Sequence, residues 1–185
     1  RRVVDVSRFS ELIHRRLGIG YTESEFRAGH NDGSIAGHVG FPESIEIAVQ
    51  GMGLKLDSSV VEAFEPILAD GEIVTSYGSI KPGYTEGFTQ IATARVNESD
   101  FIRLELVLHL RPGELGLEVE DSLIIEGAHP LHLKVTPGMD AIQGTSAQLV
   151  NSIPAVVAAE PGLRNVQNIP RTAAWLGDFT DLEFR

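Results

Sequence analysis

The sequence contains no cysteine, which excludes disulfide staples, thiol nucleophiles and every zinc or iron–sulfur centre built on thiolates. It is also poor in positive charge: 15 Lys+Arg stand against 26 Asp+Glu, for a formal charge of −11 and a pI of about 4.9. That field repels a phosphate backbone, and no compact basic stripe overrides it, so nucleic acid is not an expected partner. No apolar run approaches the length of a membrane span. The GxSxG elbow, the Walker loop, the dinucleotide GxGxxG and HExxH are all missing. Gly18-Ile19-Gly20 is only a fragment of a dinucleotide pattern and reads better as a helix end. What remains is an ordinary folded composition: 185 residues, 42% hydrophobic and 22% charged, with mean hydropathy +0.01. This is enough for one domain with one core. The chain opens Arg1-Arg2-Val3-Val4 without Met, inside an apparent strand. We therefore expect a piece of a longer protein. The lack of cysteine fits a cytoplasmic location.

Local signals divide the chain into three stretches. Residues 9–17 can form a helical turn or two ended by Gly18 and Gly20, and Thr22 with Glu25 has the spacing of a capping box. That second helix stops at Asn31-Asp32-Gly33. Pro42 suits a first helical position, and Ile45, Ala48, Val49 and Met52 then share a face. Beyond Gly53 the period becomes two. Ile102, Leu104, Leu106, Leu108 and Leu110 alternate with Arg103, Glu105, Val107 and His109, the cleanest strand in the chain. Residues 88–96 should pair with it across a turn at 97–100, and residues 60–68, 72–80, 123–125 and 131–135 supply further strands. From Gly144 the helical period returns as far as Pro161-Gly162, with Pro154 expected to kink or divide the helix. A turn near Ala173-Ala174-Trp175 is the last regular feature. This order predicts an α+β domain: an antiparallel or mixed sheet of five to seven strands with helices packed on one face. The opposite face, with Arg103, Glu105, Val107 and His109, is left for subunit pairing.

Six histidines show no i, i+4 pair and no metal-ligand spacing, so no metal site is expected. On the predicted polar strand faces, His109 and His132 read as solvated or interface side chains. The densest polar cluster is Gly37-His38-Val39-Gly40-Phe41-Pro42-Glu43-Ser44. Its glycines let backbone approach a ligand or turn sharply, and His38 can serve as acid, base or donor near neutral pH. Glu43 and Ser44 fall in a helix first turn, where they either face a ligand or merely complement the dipole and cap. Gln143-Gly144-Thr145-Ser146 repeats the arrangement at the start of the last helix, suited to anion contacts or to plain capping. Asn151, in the middle of that apolar helix, would need partners if buried.

Three segments carry a resemblance: Leu17-Gly18-Ile19-Gly20; Gly37 to Ile45; and Gly144-Thr145 followed by Val150-Asn151-Ser152-Ile153-Pro154 and Ala159-Glu160-Pro161-Gly162-Leu163. In order and spacing the chain, from about Val3 to Trp175, resembles the C-terminal domain of the dihydrodipicolinate reductase-like proteins that include 2,4-diaminopentanoate dehydrogenase. It departs at Asn168-Ile169-Pro170, where an acidic Asp-Leu-Pro ending is more usual.

The resemblance implies a two-domain NAD(P)-dependent oxidoreductase of amino- or imino-acids. Residues 1–185 would be a single substrate-binding and oligomerisation domain, with the N-terminal dinucleotide-binding domain absent from this chain. NADP or NAD would be bound in the full-length protein and not tightly by this fragment, which alone would be inactive; no cofactor-binding residue is assigned here. His38 and Glu43 would be catalytic, His38 moving a proton and Glu43 holding a substrate ammonium. Gly37, Ser44, Gly144 and Thr145 would bind substrate, the last two holding a carboxylate on backbone N–H groups. A homodimer or homotetramer through the sheet is expected, with no membrane and no nucleic acid partner. The alternative is a stand-alone small-acid-binding or dimerisation module without catalysis. Finally, Leu149, Val150, Ile153, Val156 and Val157 spread around more of the last helix than one stripe needs. Part of that helix should be exposed or covered by another copy.

Overall fold

The computed structural model describes residues 1–170. Two compact units divide the chain, Arg1–Gly138 and Met139–Arg185. The suggested turn near Ala173-Ala174-Trp175 lies outside the described residues.

In the first unit, residues of period two build the sheet. Its strands are β1 (Arg2–Asp5), β2 (Val61–Leu68), β5 (Thr85–Val96), β6 (Ser99–His109), β7 (Glu120–Ile125) and β8 (Leu131–Val135), while β3 (Ile73–Thr75) and β4 (Gly78–Ile80) form a separate hairpin. The order is β2-β5-β6-β1-β7-β8. β1 runs parallel to β6 and antiparallel to β7, so the sheet is mixed, within the expected five to seven strands. The run at 72–80 is not one strand. It folds back at Ser76-Tyr77, where Thr75 Oγ1 donates to Gly78 O at 2.7 Å.

The β5–β6 hairpin is tighter than the turn-like sequence implied. Pairing persists to Val96 and Ser99, leaving Asn97 and Glu98 as the turn, at φ 52° and 66°. Left-handed backbone is tolerable for Asn but unfavourable for Glu. The Asp57 carboxylate compensates, accepting from Asn97 N at 3.0 Å and Glu98 N at 2.7 Å.

Of the three helices α1 (Glu11–Arg16), α2 (Glu23–Asp32) and α3 (Phe41–Gly51), α2 and α3 pack on one face of the sheet. α2 begins with the expected box: Thr22 Oγ1 accepts from Glu25 N, and the Glu25 carboxylate accepts from Thr22 N at 2.8 Å. The Thr22 hydroxyl, donating to Glu25 Oε2 at 2.7 Å, and then the Thr22 N–H hold the Glu25 carboxyl below its usual range. Phe26 packs with Phe64, Phe88 and Leu106, and Ile45 and Val49 pack with Ala92, Ala94 and Val96. Phe26 and Phe88 are fully buried; each such ring contributes about 1.5–3 kcal/mol of transfer free energy.

The opposite face departs from expectation. Arg103 and Glu105 keep solvent contact, but Val107 and His109 are buried, at 3% and 1% exposure. His109 is therefore not a solvated histidine, whereas His132 on β8 is exposed. Farther along the sheet, Leu123, Ile125, Leu131, Leu133 and Val135 share one face by register and remain 44–50% exposed.

The second unit contains α4 (Ala141–Val157). It starts three residues before the expected Gly144, because Asp140 is the N-cap: its Oδ1 accepts from Ile142 N at 2.9 Å and Gln143 N at 2.7 Å. Pro154 does not divide α4, and Ala158 caps the helix soon after it. No α4 residue is buried; Leu149 is 70% exposed and Val156 50%, in line with the expected exposed apolar surface.

Candidate functional site

The His38 loop joins α2 to α3, and the sheet beneath fixes it. Gln90 of β5 stands in the apolar register between Phe88 and Ala92, opposite Phe64 and Leu106, and is 7% exposed. Its Oε1 accepts from His38 N at 2.7 Å and its Nε2 donates to His38 O at 2.8 Å. A second Nε2 hydrogen goes to Glu62 Oε1 on β2 at 3.0 Å. Only glycine fits the neighbouring position: a Cβ on Gly37 would lie 2.3 Å from Gln90 Oε1 and 2.7 Å from the Phe64 ring. The exposed His38 imidazole meets the Phe41 ring edge-on, with centroids 4.9 Å apart.

α3 then begins with Gly40 as N-cap and no side-chain cap, so Ser44 does not cap the helix as the plain reading had it. Ser44 N donates to Gly40 O at 3.0 Å. Glu43 and Ser44 are exposed in this first turn, and the Glu43 carboxylate makes no ion pair or hydrogen bond among the described residues. Gly37, His38, Glu43 and Ser44 thus come together on one loop and helix start: an imidazole and a free carboxylate, both open to solvent.

Gly144 and Thr145 belong to the second unit and are not at a helix start. Gly144 N donates to Asp140 O at 2.8 Å and Thr145 Oγ1 donates to Ala141 O at 2.7 Å. The expected cradle of unpaired N–H groups is absent there, because the helix consumes them.

No dinucleotide cradle forms from Gly18 and Gly20. A Cβ on Gly18 would lie 2.5 Å from the Phe26 ring, so this glycine serves packing at a positive-φ helix end, and Gly20 N donates to Thr85 O at 2.8 Å. These residues do not fit a nicotinamide cofactor.

Sequence reasoning missed two things. Gln90 carried a usable signal, since a carboxamide in an apolar strand register must find partners. The other is a buried ionic cluster. Arg111 donates to Glu86 Oε2 from Nε at 3.3 Å and from Nη2 at 2.9 Å, and His109 Nε2 stands 3.6 Å from the same oxygen. Burial pushes the His109 imidazole below its usual range, outweighing the Glu86 charge. Its Nδ1 accepts from Arg111 N at 2.9 Å, so the neutral ring carries its proton on Nε2.

A family model described as the 2,4-diaminopentanoate dehydrogenase C-terminal domain matches residues 1–184. The chain belongs to that family. It is 34% identical over 182 residues to the 2,4-diaminopentanoate dehydrogenase of Acetoanaerobium sticklandii, covering 98% of this chain and 52% of the relative. Among solved structures it is similar to an amine dehydrogenase from Mycobacterium smegmatis, with TM-score 0.77 and 24% identity, over 94% of this chain and 50% of that one. That likeness establishes the fold. The chain spans about half the length of the relatives it matches. The resemblance carried by the three segments is thereby confirmed at the level of the family.

Proposed function

We propose that residues 1–185 form the substrate-facing, oligomer-forming half of an NAD(P)-dependent oxidoreductase acting on the amino or imino group of a small acid. The observation that carries this reading is the His38 loop: an exposed imidazole on a backbone pinned by Gln90, followed by the unpaired Glu43 carboxylate. Family membership and the A. sticklandii relative support the substrate class. The bound nicotinamide would supply hydride transfer, and in this reading it is held outside this chain; Gly18 packs against Phe26 and the Gly20 N–H is paired with Thr85 O, so neither offers it a cradle.

In this reading an imidazole nitrogen of His38 exchanges a proton with the substrate nitrogen, and Glu43 pairs with a substrate ammonium. Gly37 permits the close approach and Ser44 offers a hydroxyl. Gly144 contributes only surface, and Thr145 Oγ1, having donated its proton, can only accept; it suits an ammonium better than a carboxylate. The half-exposed apolar face of β7 and β8 supports a homodimer or homotetramer. A cytoplasmic location is part of this reading; separately, among the described residues no helix is long and apolar enough to cross a membrane.

Turnover decides the matter. The full-length protein should oxidise 2,4-diaminopentanoate or a related diamino acid with NAD or NADP, and His38→Asn should reduce kcat by about 10²–10⁴-fold, the usual share of general acid–base catalysis. Binding of such acids without turnover by any nicotinamide would favour the non-catalytic module instead.

A further inference from the structure

We infer that Gln90 is the positioning residue of the site: its carboxamide sets where the His38 imidazole stands, and Glu62 sets which way that carboxamide faces. This inference rests on the reading of His38 given above.

The geometry carries it. A primary amide carries its donor and its acceptor on separate atoms in one plane, so it can pair with both backbone groups of one residue, and Gln90 does so with His38, at 2.7 and 2.8 Å. With its N–H and C=O both engaged, the backbone of His38 is held as it would be in a strand ladder, and only the two side-chain torsions remain. The Phe41 ring restricts those, at 4.9 Å between centroids. Gln90 has no latitude of its own, being 7% exposed with its second hydrogen on Glu62 Oε1 at 3.0 Å. Since Glu62 can only accept, it selects the orientation that puts Nε2 on the His38 carbonyl. A flipped amide would set Oε1 against that carbonyl and against the carboxylate. Gly37 gives an independent indication, because a Cβ there would strike Gln90 Oε1 at 2.3 Å. The loop thus approaches this amide as closely as a chain without a side chain can.

The residue acts through His38, not on substrate, and this separates it from a residue that merely stabilises the fold. The test uses the full-length protein and a double-mutant cycle. Gln90→Met keeps length and loses both hydrogen bonds to His38. We expect kcat to fall about 10–100-fold with KM little changed, as a misplaced catalytic group costs. In the His38→Asn background the same substitution should cost less than about 2-fold, because the group it positions is gone. Equal losses in both backgrounds would overturn the inference and mark Gln90 as structural.

Glu62→Ala covers the case in which Gln90→Met fails to fold, since Glu62 is exposed on β2. It should lower kcat about 3–10-fold, a fraction of the loss from misplacement, and shift the His38 ring proton resonances without altering those of His132. If Glu62→Ala leaves both kcat and the His38 resonances unchanged, the orienting role falls, and if Gln90→Met also retains kcat the whole inference falls. A His38→Asn variant with full activity would instead sink the functional reading itself, whatever Gln90 does.

Discussion

Glu86 and Arg111 are joined through a single carboxylate oxygen: Oε2 receives Nε at 3.3 Å and Nη2 at 2.9 Å from the guanidinium. Glu86 is 3% exposed, whereas the Arg111 side chain keeps 26% of its surface in solvent. The pair links the start of β5 to the chain just beyond β6, and Arg111 reaches on to Glu114 and, at 3.7 Å, Asp70. The Glu86 hydrogen bond raises the guanidinium further above its usual range. Leaving one member of a buried pair alone costs several kcal/mol, and solvent on the Arg111 side reduces that cost. Glu86→Gln should therefore lower the unfolding free energy by about 2 kcal/mol in urea titration, and Glu86→Gln with Arg111→Met should recover more than half of it. A Glu86→Gln protein as stable as the parent would show that the pair contributes nothing.

His109 beside this pair makes stability depend on pH. Burial depresses its folded-state pKa below the ordinary 6.5, so between the two values the unfolded chain binds more protons than the folded one. Its stabilising share is complete above about 6.5 and is lost as pH falls through the depressed folded value. Over this window the midpoint of urea unfolding should fall on acidification, and His109→Gln should flatten the slope. An unchanged slope in the variant would assign the acid sensitivity to other groups.

Gly18 tests the packing assignment against the cofactor one. Its φ is +74°, and a Cβ would meet the Phe26 ring at 2.5 Å and Ile35 at 3.0 Å. Strain and overpacking together predict a loss of about 2–4 kcal/mol for Gly18→Ala. Calorimetry should show the corresponding drop in Tm. If the variant were fully stable yet impaired in nicotinamide binding by the full-length protein, Gly18 would belong to a cradle after all.

What could be read in advance was local. The Thr22–Glu25 box and the alternation from Ile102 are short-range signals: the box appears as expected, and the strand forms at Ser99–His109, although Val107 and His109 on its second face are buried. The α4 start was misjudged because Asp140 follows Pro137-Gly138-Met139, which looks like loop, while Thr145 and Ser146 look like caps. The run at 72–80 hid its turn because Ser76-Tyr77 lacks the usual Asn-Gly chemistry. The place of β1 between β6 and β7 depends on pairing over a hundred residues away, such as Val3 with Val107, to which no local pattern points. In the candidate site, the His38 loop stood out through its glycines. Gln90, 52 residues away in sequence, did not.

The apolar surface of α4 leads to the last prediction. Most of a helix's stability in a protein comes from burying an apolar face, and α4 runs for 17 residues. Yet Leu149, Val150, Ile153, Val156 and Val157 are all between 44% and 70% exposed. A surface of this kind promotes association. Sedimentation of the chain at rising concentration should show the average mass increasing, and Leu149→Ser with Val156→Ser should move it back toward the monomer. Because both side chains are exposed, the same pair of substitutions should change the urea unfolding of the Arg1–Gly138 unit by less than about 0.5 kcal/mol. A mass that ignores both concentration and the substitutions would show that this helix does not drive assembly, and the half-exposed face of β7 and β8 would be the next surface to alter.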